Sequence, residues 1–146
     1  AVAFFGCSNF ATLNTLEGIM PGFNNPILNL TQHTATDAQI EAGVVNVTDA
    51  DLVDLKKALT FDEPPTRLEL IRRRQTIVGM ASKYNCPSVM LGGAPYLCTE
   101  LDLSFSLDGY KVLYSFSKRV SIEFKDSTTG EVTKTNVFKH IGWVQS

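Results

Sequence analysis

Three short stretches of this sequence carry side chains suited to holding an anion or moving a proton: Thr31-Gln32-His33-Thr34, Gly92-Gly93-Ala94-Pro95 and Ser115-Phe116-Ser117-Lys118-Arg119. Histidine changes charge near neutrality, so His33 is suited to general acid or base work, and Gln32 beside it offers an amide donor and an acceptor. A second reading has His33 capping a nearby helix. Without Cβ atoms, Gly92 and Gly93 let backbone amides approach a ligand closely, and a helix starting at Pro95 would aim its positive end at the same point. The glycines can equally make a tight strand-to-helix turn. Ser117 and Arg119 add a hydroxyl and a guanidinium fork that matches phosphate or carboxylate. Against that, Lys118 and Arg119 could pair with Glu123 or Glu131 across a hairpin.

Other chemistries lack their residues. There is no G-x-x-x-x-G-K-[ST], which excludes a P-loop ATPase, and no H-E-x-x-H or G-x-S-x-G. Cys7, Cys86 and Cys98 are widely spaced, so neither a disulfide framework nor a metal knuckle is suggested, and no metal or other cofactor is expected. His140, between Lys139 and Ile141, reads as a packing or surface residue. The Arg72-Arg73-Arg74 run reads as a solvated helix face.

The elements that must position these groups follow from periodicity. Ile27 to Thr31 is a short apolar run of strand length. Thr36 to Gln39 has the form of a capping box for a short helix ending at Gly43. Thr48 to Asp51 repeats the signal before Leu52, Leu55 and Leu59, which recur at helical spacing. After Pro64-Pro65, Thr66 opens the longest helix, to about Tyr84. Pro87 to Leu91 is a second strand ended by the glycine pair, and Pro95 suits the first turn of a helix that Gly109 closes. Lys111 to Phe116 is a third strand, completing a βαβ unit with a right-handed crossover. Val120, Ile122 and Phe124 then alternate, Asp126 to Gly130 supplies turn residues, and Val132 to Phe138 returns as a β-hairpin. The expected fold is α/β: a small Rossmann-like parallel sheet with flanking helices and a C-terminal antiparallel hairpin. In such sheets ligands bind beyond the carboxyl ends of the strands, where the three stretches fall.

Residues 1–25 read as an aromatic arm, with Phe4, Phe5, Phe10 and Phe23 and a single charged residue, Glu17; residues 26–146 read as one domain. Rings on such an arm need a surface to cover them, and a neighbouring subunit is one, hence an expected homo-oligomer. The length of 146 residues suits one core, and a formal net charge of −2 gives no basic field for duplex nucleic acid. No apolar run approaches the ~20 residues of a membrane helix. A cytoplasmic protein is expected.

The segments Ile27-Leu28-Asn29-Leu30-Thr31-Gln32-His33, Met90-Leu91-Gly92-Gly93-Ala94-Pro95-Tyr96, Leu113-Tyr114-Ser115-Phe116-Ser117 and Phe138-Lys139-His140-Ile141-Gly142 resemble a family of small, mostly uncharacterised bacterial and phage-borne proteins. In outline the chain is also similar to the Rossmann-like domains of the CRISPR-associated (CARF) group, an architectural likeness with no motif mapped residue by residue. That resemblance implies a nucleotide-type ligand, cyclic in some members, held in a homodimer and sometimes cleaved. The expectation is a binding module for a small phosphate-bearing ligand, with Gly92, Gly93 and Arg119 holding phosphate and Gln32 and His33 reading polar groups. Were hydrolysis to occur, His33 would be the acid. The alternative is a structural or interaction protein of a phage or mobile element that assembles through its N-terminal arm.

Overall fold

The structure, a computed structural model, describes residues 25–146. The N-terminal arm, all but its last residue, lies outside the described residues. Five strands form one sheet: β1 (Ile27–Asn29), β2 (Val44–Asn46), β3 (Ser88–Leu91), β4 (Lys111–Lys125) and β5 (Val132–Gln145), in the order β2-β1-β3-β4-β5. The first four run parallel and β5 is antiparallel to β4. Four helices connect them: α1 (Asp37–Glu41), α2 (Asp49–Leu59), α3 (Arg67–Ala81) and α4 (Pro95–Leu107).

The strands β1 and β3 alternate between two buried faces, as parallel strands covered on both sides must. Leu28, Leu30, Val89, Leu91 and Val112 meet Leu55, Leu59, Ile77, Met80, Leu97, Leu101 and Phe105 of α2, α3 and α4 in the main core. Ile27, Met90 and Leu113 face the other way, with Ala35, Val44 and Trp143. The split follows from handedness. The chain leaves β1 toward β2 in one direction across the sheet and leaves β3 toward β4 in the other. Right-handed crossovers therefore put α1 on one face and α4 on the opposite face.

Local chemistry sets the ends of the helices. Thr36, Thr48 and Thr66 cap α1, α2 and α3, each accepting from the backbone N–H three residues on, and at α1 Gln39 completes the box by accepting from the Thr36 N–H at 3.0 Å. Only α4 starts without a side-chain cap, on Ala94 with Pro95 at its first turn. Glu100 of α4 accepts from Arg67 and Arg74 of α3, fastening the two helices. Arg73 binds Glu69 at 2.6 Å and lies over the Phe61 ring at 4.0 Å, so two of the three consecutive arginines are engaged within the fold.

Two boundaries differ from the sequence reading. β2 is an edge strand of three residues with only Val44 buried, too short and one-sided to announce itself by pattern. The expected third strand and the first strand of the hairpin are one continuous strand, Lys111–Lys125. Pairing with β3 ends at Leu91 and Tyr114, and from there β4 and β5 continue as a two-stranded ribbon. Polar residues do not stop a strand whose faces meet water, and Ser117-Lys118-Arg119 contains neither glycine nor proline. At the ribbon's tip Asp126 accepts from the N–H of Thr128 at 2.7 Å, and Gly130 takes the positive φ of 70° that the turn requires.

Candidate functional site

A cleft of about 550 Å³ opens at the carboxyl ends of β1 and β3, beside the point on β4 where its pairing with β3 ends, and is lined by Thr31 to Thr34, Thr36, Gln39, Met90 to Gly93, Tyr114 and Ser115. Its place is dictated by topology. Between β1 and β3 the chain departs toward opposite sides of the sheet, so the two loops separate and leave a crevice at the point where the strand order reverses.

The floor of the β1 loop is built by Asn29, which is 3% exposed. Its Nδ2 donates to the His33 carbonyl at 2.7 Å and to Asn46 Oδ1 at 2.9 Å, while its Oδ1 accepts from the Thr31 N–H at 3.0 Å and the Thr31 hydroxyl at 2.7 Å. Asn46 Oδ1 also accepts from the Ala35 N–H at 3.0 Å. These bonds satisfy the buried amides and hold the backbone from Thr31 to Ala35 in one course, leaving His33 exposed at the cleft. Gln32 donates from Nε2 to Thr60 Oγ1 at 3.4 Å.

The opposite wall is the glycine turn. Gly93 has φ of 121°, a backbone region that side-chain-bearing residues rarely occupy, and a Cβ on Gly92 would come within 3.2 Å of Thr31 Cγ2. The pair thus makes the strand-to-helix turn and also lets the β3 loop lie close against the β1 loop. The tight strand-to-helix turn is the role, of the two weighed from the sequence, that this geometry displays.

At the mouth, a chain of polar groups crosses from α1 to β5. The Gln39 Oε1 is committed to the Thr36 N–H, which turns its Nε2 toward Ser115, to whose Oγ it donates at 3.1 Å. Ser115 Oγ lies 2.8 Å from His140 Nδ1, and the His140 ring packs on Trp143 with centroids 4.6 Å apart. Beneath, Tyr114 donates to Asp102 of α4 at 2.8 Å; burial, followed by this carboxylate, drives its phenol far above the ordinary 10.0.

Of the residues singled out from sequence, Gln32, His33, Gly92 and Gly93 share this cleft. Ser117 and Arg119 do not line it. They stand within β4, paired with His140 and Phe138 of β5. Arg119 packs over the Phe138 ring at 5.4 Å, and Glu123 pairs with Lys134 at 3.5 Å. Ser117 and Arg119 share a strand face with Ser115, so they continue outward from the cleft at two-residue steps, Arg119 about 13 Å beyond Ser115. Sequence reasoning missed Asn29, Gln39 and the part played by His140. An asparagine inside an otherwise apolar strand was the available signal for the first, and the capping box already marked the second.

Cys86 and Cys98 are buried free thiols; burial raises both, and Asp102 adds to the rise at Cys98. Among the described residues no group of three His, Cys, Asp or Glu is placed to hold a metal ion, and no helix is long and apolar enough to cross a membrane. A family model described as "Uncharacterized protein MJ1673 family" matches residues 25–144. No curated protein and no solved structure gives a significant match.

Proposed function

This chain belongs to the uncharacterized protein MJ1673 family, and we propose that it binds a small phosphate-bearing ligand of nucleotide type in the cleft between β1, β3 and β4. The observation that carries this reading is the meeting of the Gln32-His33 loop and the Gly92-Gly93 turn in one crevice at the reversal of strand order. Backbone amides at the glycine turn and the first turn of α4 supply an electropositive wall for phosphate. Gln32 and His33, on a loop pinned by Asn29, supply directional donors and acceptors for a base or sugar. Ser117 and Arg119 serve the part of a ligand long enough to leave the cleft along the ribbon, which suits an oligonucleotide, linear or cyclic, better than a mononucleotide. A cyclic oligonucleotide is also what the outline resemblance to CARF domains, read from the sequence alone, suggests.

The test is a thermal-shift screen of the full chain against mononucleotides, dinucleotides and cyclic oligonucleotides, because a ligand that binds only the folded state raises its melting temperature. We expect a rise that His33→Ala and Gly93→Ala reduce. No rise with any of these ligands would refute the proposal.

A second reading, an interaction protein that assembles with copies of itself, is favoured by one observation. Beyond the sheet, the face of the ribbon opposite Arg119 carries Val120, Ile122 and Phe124 with Val137 of β5, and Ile122 and Phe124 are 51% and 67% exposed. An exposed apolar row of this kind is a common feature of surfaces that meet another chain.

A further inference from the structure

We propose that Ser115 and His140 form a nucleophile and base pair, so that the cleft cleaves a phosphodiester as well as holding it. The proposal rests on the phosphate-ligand reading given above. Three features of the geometry point to it.

The first is a register shift. Ser115 lies opposite Trp143 and Phe116 opposite Gly142, but Ser117 lies opposite His140, leaving Ile141 as an extra residue in β5. Without that bulge the regular ladder would place His140 opposite Lys118, on the other face of the ribbon. The extra residue turns the imidazole onto the face of Ser115 and the cleft. Bulges beside functional sites serve this purpose, re-aiming one side chain while the ladder continues.

The second is proton direction. Gln39 spends its carbonyl on the Thr36 N–H, so its amide donates to Ser115 Oγ. With that lone pair occupied, the hydroxyl keeps one proton and one lone pair for His140 Nδ1, 2.8 Å away, and donates to it in the tautomer that carries the ring proton on Nε2. The third is support for the ring: the imidazole packs against Trp143 with centroids 4.6 Å apart, a contact that restricts its movement, as suits a base that must accept along one line.

The step balances within the pair and water. Ser115 Oγ bonds to phosphorus as its proton passes to His140 Nδ1, and the bond from phosphorus to the ester oxygen breaks. The departing alkoxide takes the proton from His140. Water then attacks the phosphoserine, giving one proton to His140, and Ser115 leaves with that proton restored to its oxygen. Gly92 and Gly93 line the same cleft, and their backbone amides would be the donors for the charge that gathers on the non-bridging oxygens.

The test uses a fluorophosphonate, a phosphorus electrophile that needs no knowledge of the natural ligand: Ser115 Oγ bonds to phosphorus, fluoride leaves, and the proton goes to His140. Intact-mass and peptide mass spectrometry of the full chain should find one adduct, on Ser115, that is absent from urea-unfolded protein and from Ser115→Ala. His140→Gln should slow labelling by about a hundredfold or more with no fall in melting temperature. An adduct elsewhere, no adduct on the folded protein, or unchanged labelling of His140→Gln would overturn the pair. The nucleotide thermal shift separates the two claims. Labelling at Ser115 without any shift keeps the pair and removes the nucleotide ligand, whereas a shift without labelling keeps the ligand and removes the pair.

Discussion

The side-chain amide of Asn29 donates to the backbone carbonyl of His33, 2.7 Å away, and ties the end of a buried strand to the residue that the cleft exposes. The same side chain also accepts from the Thr31 N–H. Asn29→Leu is nearly isosteric but strips that N–H of its partner, at a cost of about 2 kcal/mol. We expect urea unfolding to show this loss and the nucleotide thermal shift to fall with it. Unchanged stability would mean that the loop holds its course without Asn29.

Gly93→Ala tests the opposite wall by a different physical route. A Cβ there meets no atom within 4 Å, so crowding contributes nothing, but φ of 121° is strained for alanine. A loss of about 1–3 kcal/mol is expected from the backbone alone. Chemical denaturation checks it, and an alanine variant as stable as the parent would show that the turn relaxes to an ordinary conformation.

Arg119 distinguishes a compact ligand from an extended one. Its place on the ribbon, about 13 Å past Ser115, predicts that Arg119→Ala weakens an oligonucleotide by more than about tenfold while leaving a mononucleotide unchanged. Titration calorimetry with both ligands measures the difference. Equal affinities of parent and variant for the oligonucleotide would remove Arg119 from the site.

The pair Lys83–Asp51, at 2.7 Å, makes stability depend on pH at both extremes. The hydrogen bond from Lys83, followed by that from Tyr84, lowers the Asp51 carboxyl below its ordinary 3.8, and the hydrogen bond to Asp51 raises Lys83 above its ordinary 10.5. A depressed carboxyl contributes fully above its unfolded pKa and loses that contribution as pH falls through the folded value. A raised amine contributes fully below its unfolded pKa and loses it as pH rises through the folded value. The melting temperature should therefore fall below about pH 4 and above about pH 10.5 by more in the parent than in Asp51→Asn. Parallel profiles would show that the pair adds nothing measurable.

The ribbon's apolar row offers a test of self-association. Ile122→Thr with Phe124→Thr keeps residues suited to a strand and removes the exposed apolar surface. If copies assemble there, sedimentation should show a smaller species for the double variant at an unchanged melting temperature. Identical sedimentation would rule out that face as the contact.

Much of the frame was legible in the sequence because it is written in local patterns. The capping threonines, the glycine pair before Pro95 and the alternation after Val120 each act within a few residues, and the elements they mark are present. The βαβ unit placed Gly92 and Gly93 at a strand's carboxyl end for the same reason. What could not be read depends on pairing between distant segments. Nothing near His140 reveals that it meets Ser115, since their contact depends on an unpaired Ile141 and on the register of two long strands. Arg119 was placed in a loop because charge followed an apolar run, and only the continued partnership with β5 shows that the strand persists. Asn46 belongs to an edge strand of three residues, so its bond to Asn29 was out of reach of any periodicity.

The sheet contains strands held in two very different ways, and they should differ in how readily they open. β1 and β3 are flanked on both sides by other strands and covered on both faces, so their amides can exchange with deuterium only when the whole domain unfolds. Past Tyr114 the ribbon has one partner strand and solvent on its faces, and it can unzip from the Asp126–Gly130 turn inward without disturbing the core. His140 stands where that unzipping meets the sheet. The residue that completes the polar chain at the cleft is thus carried by a ribbon expected to open more readily than β1 or β3. Slow exchange at β3 and graded, faster exchange from β5's first residues toward His140 is the pattern such an arrangement leaves, and a ligand seated against Ser115 would reset it from the base of the ribbon outward.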